Sequence, residues 1–192
     1  MSNKHSLTIS DYVSLEQETG VKYEFHDGEV FALAGGSLNH GLLCGNVYSE
    51  LRNGLKTASS NCKPLTSEIK LHVETQNSFL YPDCMVVCDK LAPSRKDKNA
   101  VVNPILVVEV LSKSTADYDR GDKFYQYRQI PSLQEYVLIE QDKAVVEVYF
   151  KKPKSDLWKI SRYEGLSSRV QLQSIGIEIS IEELYFDVEG VL

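Results

Sequence analysis

Long apolar runs are missing from this sequence. None approaches the ~18 residues needed to cross a bilayer, and the longest, around Ile105–Leu111, is interrupted by Glu109. The opening residues MSNKHSLTIS lack the apolar stretch of a secretory signal. A cytoplasmic location and no membrane partner are therefore expected. Cysteine is scarce, with four residues at 44, 62, 84 and 88. Paired CxxC elements, or Cys with suitably spaced His, are absent, which excludes a zinc ribbon. Cys84 and Cys88 lie four apart; on a strand they would share a face, so both are expected as small core residues with free thiols. An excess of positive charge is also absent. The net charge of −6 argues against a non-specific nucleic-acid binder. It leaves room for an enzyme that meets nucleic acid through a local basic patch and a bound cation.

Several enzyme signatures are missing too. The chain has no GxSxG, no HExxH, no GxxxxGK[ST] and no glycine-rich dinucleotide fingerprint. Gly35-Gly36, within LAGGS, reads as a loop before a helix.

What is present fits a globular protein. With 192 residues, 42% hydrophobic and 25% charged, the chain is expected to form one domain over 1–192 with an ordinary core. A short helix is predicted from Ser10, its N-cap, to Glu18, stopped by Gly20. Two strand-like runs flank Asp27-Gly28, a strong hairpin signal. Ser37 caps a predicted helix to Thr57, with Leu38, Leu42, Val47, Leu51 and Leu55 facing the core. Ile69, Leu71 and Val73 alternate with polar residues as a half-buried strand, and FLYPDCMVVCD reads as another. ILVVEVLS has the continuous apolar character of a buried strand. A helix is expected from Ser114 to Gln129, ended by Pro131. LQEYVLIE, AVVEVYFK, DLWKISRYE and the tail supply further strands, with a short acidic helical turn at the end.

Two acids sit where carboxylates are costly. Asp83 follows Pro82 at the start of MVVC, and Glu109 lies inside ILVVEVL. If their strands are neighbours, the two carboxylates converge and repel. A divalent cation relieves that conflict, and carboxylates with water suit Mg²⁺ or Mn²⁺. Asp119 and Lys123 lie four apart on the predicted helix and share a face. That places an ammonium where it could orient water or stabilise a phosphoryl group. The alternative is a solvated ion pair worth about 0.3–0.5 kcal/mol.

These residues resemble the PD-(D/E)XK nuclease superfamily. More closely, YEFHDGEVFALAGGS, the His40 helix, YPD, LVVEVLSKST and DRGDKFYQYRQIPSLQEYVLI together resemble the Uma2 family (DUF820), bacterial proteins regarded as endonucleases. The resemblance runs in order from about Tyr23 to Ile139. It implies an α/β (α+β) restriction-endonuclease-like fold, with a mixed central sheet flanked by helices. It also implies a Mg²⁺- or Mn²⁺-dependent hydrolase acting on DNA. Asp83 and Glu109 would hold the metal, and Lys123 would serve the water or phosphate. Glu24 resembles the family's upstream acid, and His40 a polar position that lines the site or touches phosphate. A strand-surface role for Glu24 and a structural one for His40 are the alternatives. One departure matters: the superfamily's lysine falls two residues after the glutamate, where this chain has Leu111. A catalytically inactive nucleic-acid- or protein-binding module on the same fold is the competing reading. A homodimer would suit cutting two strands by symmetry.

Overall fold

The computed structural model describes residues 6–191. Helix α1 (Ile9–Thr19) begins two residues earlier than Ser10 suggests. Its N-cap is Thr8, closed by a reciprocal capping box with Asp11, and Gly20 ends it in the left-handed conformation. Strands β1 (Tyr23–His26) and β2 (Glu29–Ala32) form the expected hairpin. Asp27 and Gly28 both take positive φ, as a tight two-residue turn requires.

Helix α2 (Leu38–Thr57) is capped by Ser37, whose hydroxyl accepts from the His40 amide. Leu43, Val47, Leu51 and Leu55 are its buried stripe. Leu38 and Leu42 do not join the core: they are 89% and 40% exposed, because the stripe that packs inward runs through Leu43 and Val47.

β3 (Lys63–Thr66) includes Pro64, which reads as a break in the sequence. Its place at the edge of a sheet explains why a residue without an N–H is tolerated. β4 (Lys70–Val73) is buried on both faces, so the apparent alternation misleads. Lys70 is enclosed by Glu16 and Asp97, and His72 bonds Ser94 and stacks on Phe79.

The run FLYPDCMVVCD is two strands, not one. β5 (Ser78–Leu80) and β6 (Cys84–Val87) belong to different sheets, and Tyr81-Pro82-Asp83 is the crossing between them. β7 (Ala100–Val101) and β8 (Leu106–Leu111) follow. The predicted helix after β8 is α3 (Ala116–Tyr118), a π-helical turn (Asp119–Lys123) and α4 (Phe124–Tyr127) in succession. β9 (Glu135–Glu140), β10 (Val145–Lys151), β11 (Trp158–Glu164), β12 (Arg169–Leu172), β13 (Ile177–Ser180) and α5 (Ile181–Leu184) complete the described chain.

One sheet has the order β2-β1-β5-β4-β7, a second β11-β10-β9-β8-β6-β3, and β12-β13 is a separate hairpin. Both larger sheets are mixed: β4 runs parallel to β7, and β8 parallel to β9. Along β8, Leu106, Val108 and Val110 pack with α2, β12, β13 and α5. Val107 and Leu111 face the opposite way, toward Tyr127, Tyr136 and residues of the first sheet. Glu109, between Val107 and Leu111 at a spacing of two, shares this second face and so points between the sheets, beside the helical turns after β8. A third apolar cluster, Tyr12, Phe25, Phe79 and Ala100, fastens α1 to the first sheet.

The cysteine expectation is corrected at one residue. Cys62 and Cys88 are joined in a disulfide. The antiparallel pairing of Lys63 with Val87 sets these neighbours opposite each other, a pairing hidden while β3 was unrecognised. Cys44 and Cys84 are free. No helix among the described residues is long and apolar enough to cross a membrane.

Candidate active site

Antiparallel β6 and β8 are direct neighbours, with Cys84 opposite Val108. That register sets Asp83 across from Glu109. The Asp83 amide donates to Oε2 of Glu109 at 3.4 Å, and the Val110 amide donates to Oδ2 of Asp83 at 2.7 Å. The two acids are therefore tied across the strand pair, Glu109 to the Asp83 amide and Asp83 to the Val110 amide.

Lys123 arrives from the π-helical turn. Its Nζ stands 3.0 Å from Oε1 of Glu109, 3.4 Å from Oε1 of Glu24 and 3.4 Å from Oδ1 of Asp119. π-turns inside helices are rare and frequent at functional sites. Here the turn is pinned by Tyr136, whose hydroxyl donates to the Asp119 carbonyl at 2.9 Å. Asp119 orients Lys123, as its spacing suggests. Glu24 comes from β1, on the face opposite Phe25, and His40 comes from α2. The imidazole Nε2 of His40 is 3.3 Å from Oδ2 of Asp83. All five expected positions, Glu24, His40, Asp83, Glu109 and Lys123, thus converge from five different segments.

The groups are unequally accessible. The side chain of Glu109 is 3% exposed and that of Lys123 10%, against 16% for Asp83 and 22% for His40. A ligand entering from solvent meets His40 and Asp83 first.

Burial drives the electrostatics. It pushes Glu109 up to about 8, helped by the negative charges of Asp83 and Asp119 and resisted by Lys123 and the Tyr127 hydroxyl. Burial also opposes ionisation of Asp83, but hydrogen bonding and charge from His40, the Val110 amide and Lys123 hold it below the usual range. Glu24 is held low against burial by His26 and Lys123. Lys123 stays firmly protonated, because the surrounding carboxylates outweigh its desolvation. His40 is raised by its bond to Asp83. Three carboxylates, Glu24, Glu109 and Asp119, thus share the Lys123 ammonium, while Asp83 pairs with His40.

Three neighbours escaped the sequence reading. Tyr127 donates to Oε1 of Glu109 at 2.6 Å. The Tyr118 hydroxyl lies 3.3 Å from Oε2 of Glu24 and 3.1 Å from Nε2 of His26. Cys44, one turn after His40, places Sγ 3.5 Å from Nδ1 of that ring. Beside Glu24, an open pocket of about 660 Å³ is bordered by Tyr118, Tyr125, Phe31 and Gln126. A larger one of about 760 Å³ lies around Glu16, Lys70 and Asp97, where the cation already has both acids as partners.

A family model named Uma2, described as "Putative restriction endonuclease", matches residues 9–182. The chain belongs to the Uma2 family. Among its relatives, the uncharacterised protein slr1290 of Synechocystis sp. is 34% identical over 179 residues, covering 93% of this chain and 91% of that protein. The uncharacterised protein sll1609 of the same organism is 33% identical over 171 residues, covering 89% and 95%. A crystal structure described as a "putative nuclease belonging to DUF820" from Anabaena variabilis superposes with a TM-score of 0.73 at 17% identity. It covers 94% of this chain and 98% of that one. The fold of this chain is therefore shared beyond close sequence similarity. The mixed sheets flanked by helices agree with the restriction-endonuclease-like expectation.

Proposed function

We propose that this Uma2 protein is a metal-dependent endonuclease that hydrolyses phosphodiester bonds in DNA at the Asp83–Glu109–Lys123 site. One observation carries the reading: two carboxylates on paired strands and an ammonium from a π-turn meet in one place, with Lys123 Nζ 3.0 Å from Glu109. The family's restriction-endonuclease description supports the same chemistry.

The residues fit a hard divalent cation, Mg²⁺ or Mn²⁺. Carboxylate oxygens cluster there, and Oε1 of Glu24, although 3.4 Å from the Lys123 ammonium, accepts no hydrogen bond from the described residues. Asp83 and Glu109 would hold the ion, with Glu24 a further oxygen donor. When bound, such an ion supplies Lewis acidity toward water and the phosphoryl oxygens.

The chain's own groups account for the rest. Lys123 keeps its proton and presents an ammonium to charge that develops on the phosphate. Asp119 and the Tyr136 bond to its carbonyl fix where that ammonium points. His40, the most exposed of the set, is the group that meets the substrate's phosphate, and its bond to Asp83 favours the protonated ring. Leu111, where the superfamily has its lysine, is buried. The amine is supplied from the following helical turn because catalysis needs its position near phosphate and not a strand address.

The test is incubation with supercoiled plasmid and Mg²⁺ or Mn²⁺, beside Asp83→Ala. Nicking or linearisation by the wild type that the variant loses supports the proposal. Equal cutting by both identifies contamination, and DNA binding without cutting favours the inactive binding module.

A further inference from the structure

His40, Cys44 and Asp83 each offer a ligand atom within 4.8 Å of the other two. His40 and Cys44 are one turn apart on α2, and Asp83 reaches them from the start of β6. This donor set is nitrogen, sulfur and oxygen, unlike the oxygen-only set of Asp83 with Glu109. Sulfur is a poor ligand for Mg²⁺ and a good one for zinc-class ions.

We infer that His40, Cys44 and Asp83 form a second cation site, selective for a borderline divalent ion of the zinc class, sharing Asp83 with the hard-cation position.

The spacing requires a modest closure. Metal–ligand distances of about 2.0–2.3 Å give tetrahedral ligand separations of roughly 3.3–3.8 Å. One ring nitrogen of His40, Cys44 Sγ and one Asp83 oxygen lie within 4.8 Å of one another, so reaching those separations takes a closure of about 1 Å. Either ring nitrogen can serve, one at a time. Space for the ring is provided by Gly36: a Cβ there would lie 2.7 Å from Nδ1 of His40. Any side chain at 36 would push the imidazole. All three residues are half-buried, so the cluster is reachable from solvent. Three protein ligands with a fourth position free is the pattern of exchangeable or catalytic zinc, not of closed structural sites. On coordination the Cys44 S–H bond is replaced by a sulfur–metal bond, and the proton passes to solvent.

The inference concerns binding and stands apart from hydrolysis. Its test is a Co²⁺ titration of the metal-free full chain, read by absorption, with Zn²⁺ as competitor. The wild type should show a thiolate-to-cobalt charge-transfer band that Zn²⁺ abolishes. Cys44→Ser should lose the band while keeping its far-ultraviolet dichroism, His40→Gln should weaken cobalt binding, and Glu109→Gln should keep the band. Absence of the band in the wild type, its persistence in Cys44→Ser, or its loss in Glu109→Gln would overturn the assignment. The wild-type and Glu109→Gln arms decide the matter even if Cys44→Ser folds poorly. Failure of DNA cleavage with the band present would sink the nuclease proposal and leave this one standing.

Discussion

Tyr127 donates its hydroxyl to the same oxygen of Glu109 that faces the Lys123 ammonium, at 2.6 Å and 3.0 Å. A buried carboxylate between two strand neighbours is thereby held by one neutral and one charged donor. Removing the neutral donor with Tyr127→Phe is expected to cost about 1–3 kcal/mol, since the oxygen loses a bond that water cannot replace. Urea unfolding measures the loss. The hydroxyl also favours the ionised form of Glu109, so the variant should titrate at still higher pH.

The raised Glu109 sets the sign of a pH effect on the metal-free protein. Its folded pKa, about 8, lies above its ordinary value of 4.5. The folded state therefore holds the proton more tightly. That stabilisation is fully present below the ordinary value and is lost as pH rises through about 8. His40, also raised, acts in the same direction. The thermal midpoint of chelator-treated protein should fall between about pH 5 and pH 9, and Glu109→Gln should flatten the slope. Added Mn²⁺ should restore stability at the alkaline end, because the cation replaces the proton. A midpoint that rises over this range contradicts the picture.

Glu135 provides a control remote from these carboxylates. It is fully buried and accepts from the Gln173 amide at 3.0 Å, the Ser174 amide at 3.1 Å and the Ser174 hydroxyl at 2.6 Å. It ties the turn before β13 to the start of β9. Glu135→Ala leaves those donors without their acceptor and should cost at least about 2 kcal/mol. Calorimetric metal binding by the variant should match the wild type. Lost metal binding would show that the β12–β13 hairpin is coupled to the site.

How much of this was legible beforehand depended on locality. Asp83 and Glu109 stood out because a carboxylate inside an apolar strand is costly wherever the strand lies. The Asp27-Gly28 turn and the Ser37 cap were equally local. The crossing at Tyr81-Pro82-Asp83 was not, because an apolar run reads the same whether it stays in one sheet or passes between two. β3 was hidden since Pro64 is tolerated only by virtue of an edge position. Lys70 looked solvent-facing, yet Glu16 and Asp97, 54 and 27 residues away, make its burial possible. Lys123 was found through its spacing from Asp119 and the family resemblance. Tyr118, Tyr127 and Cys44 were missed because nothing in a helical pattern says which polar group will face a distant strand.

The most direct test of the account is plasmid cleavage by Lys123→Met beside the wild type, with metal binding followed in parallel. Loss of one donor to transition-state charge predicts a fall in cleavage of roughly 10²–10³-fold. Removing the ammonium takes no oxygen ligand away, so the variant should still bind Mn²⁺. Cleavage by Lys123→Met at the wild-type rate, with Mn²⁺ bound, would contradict the claim that this amine works at the phosphate.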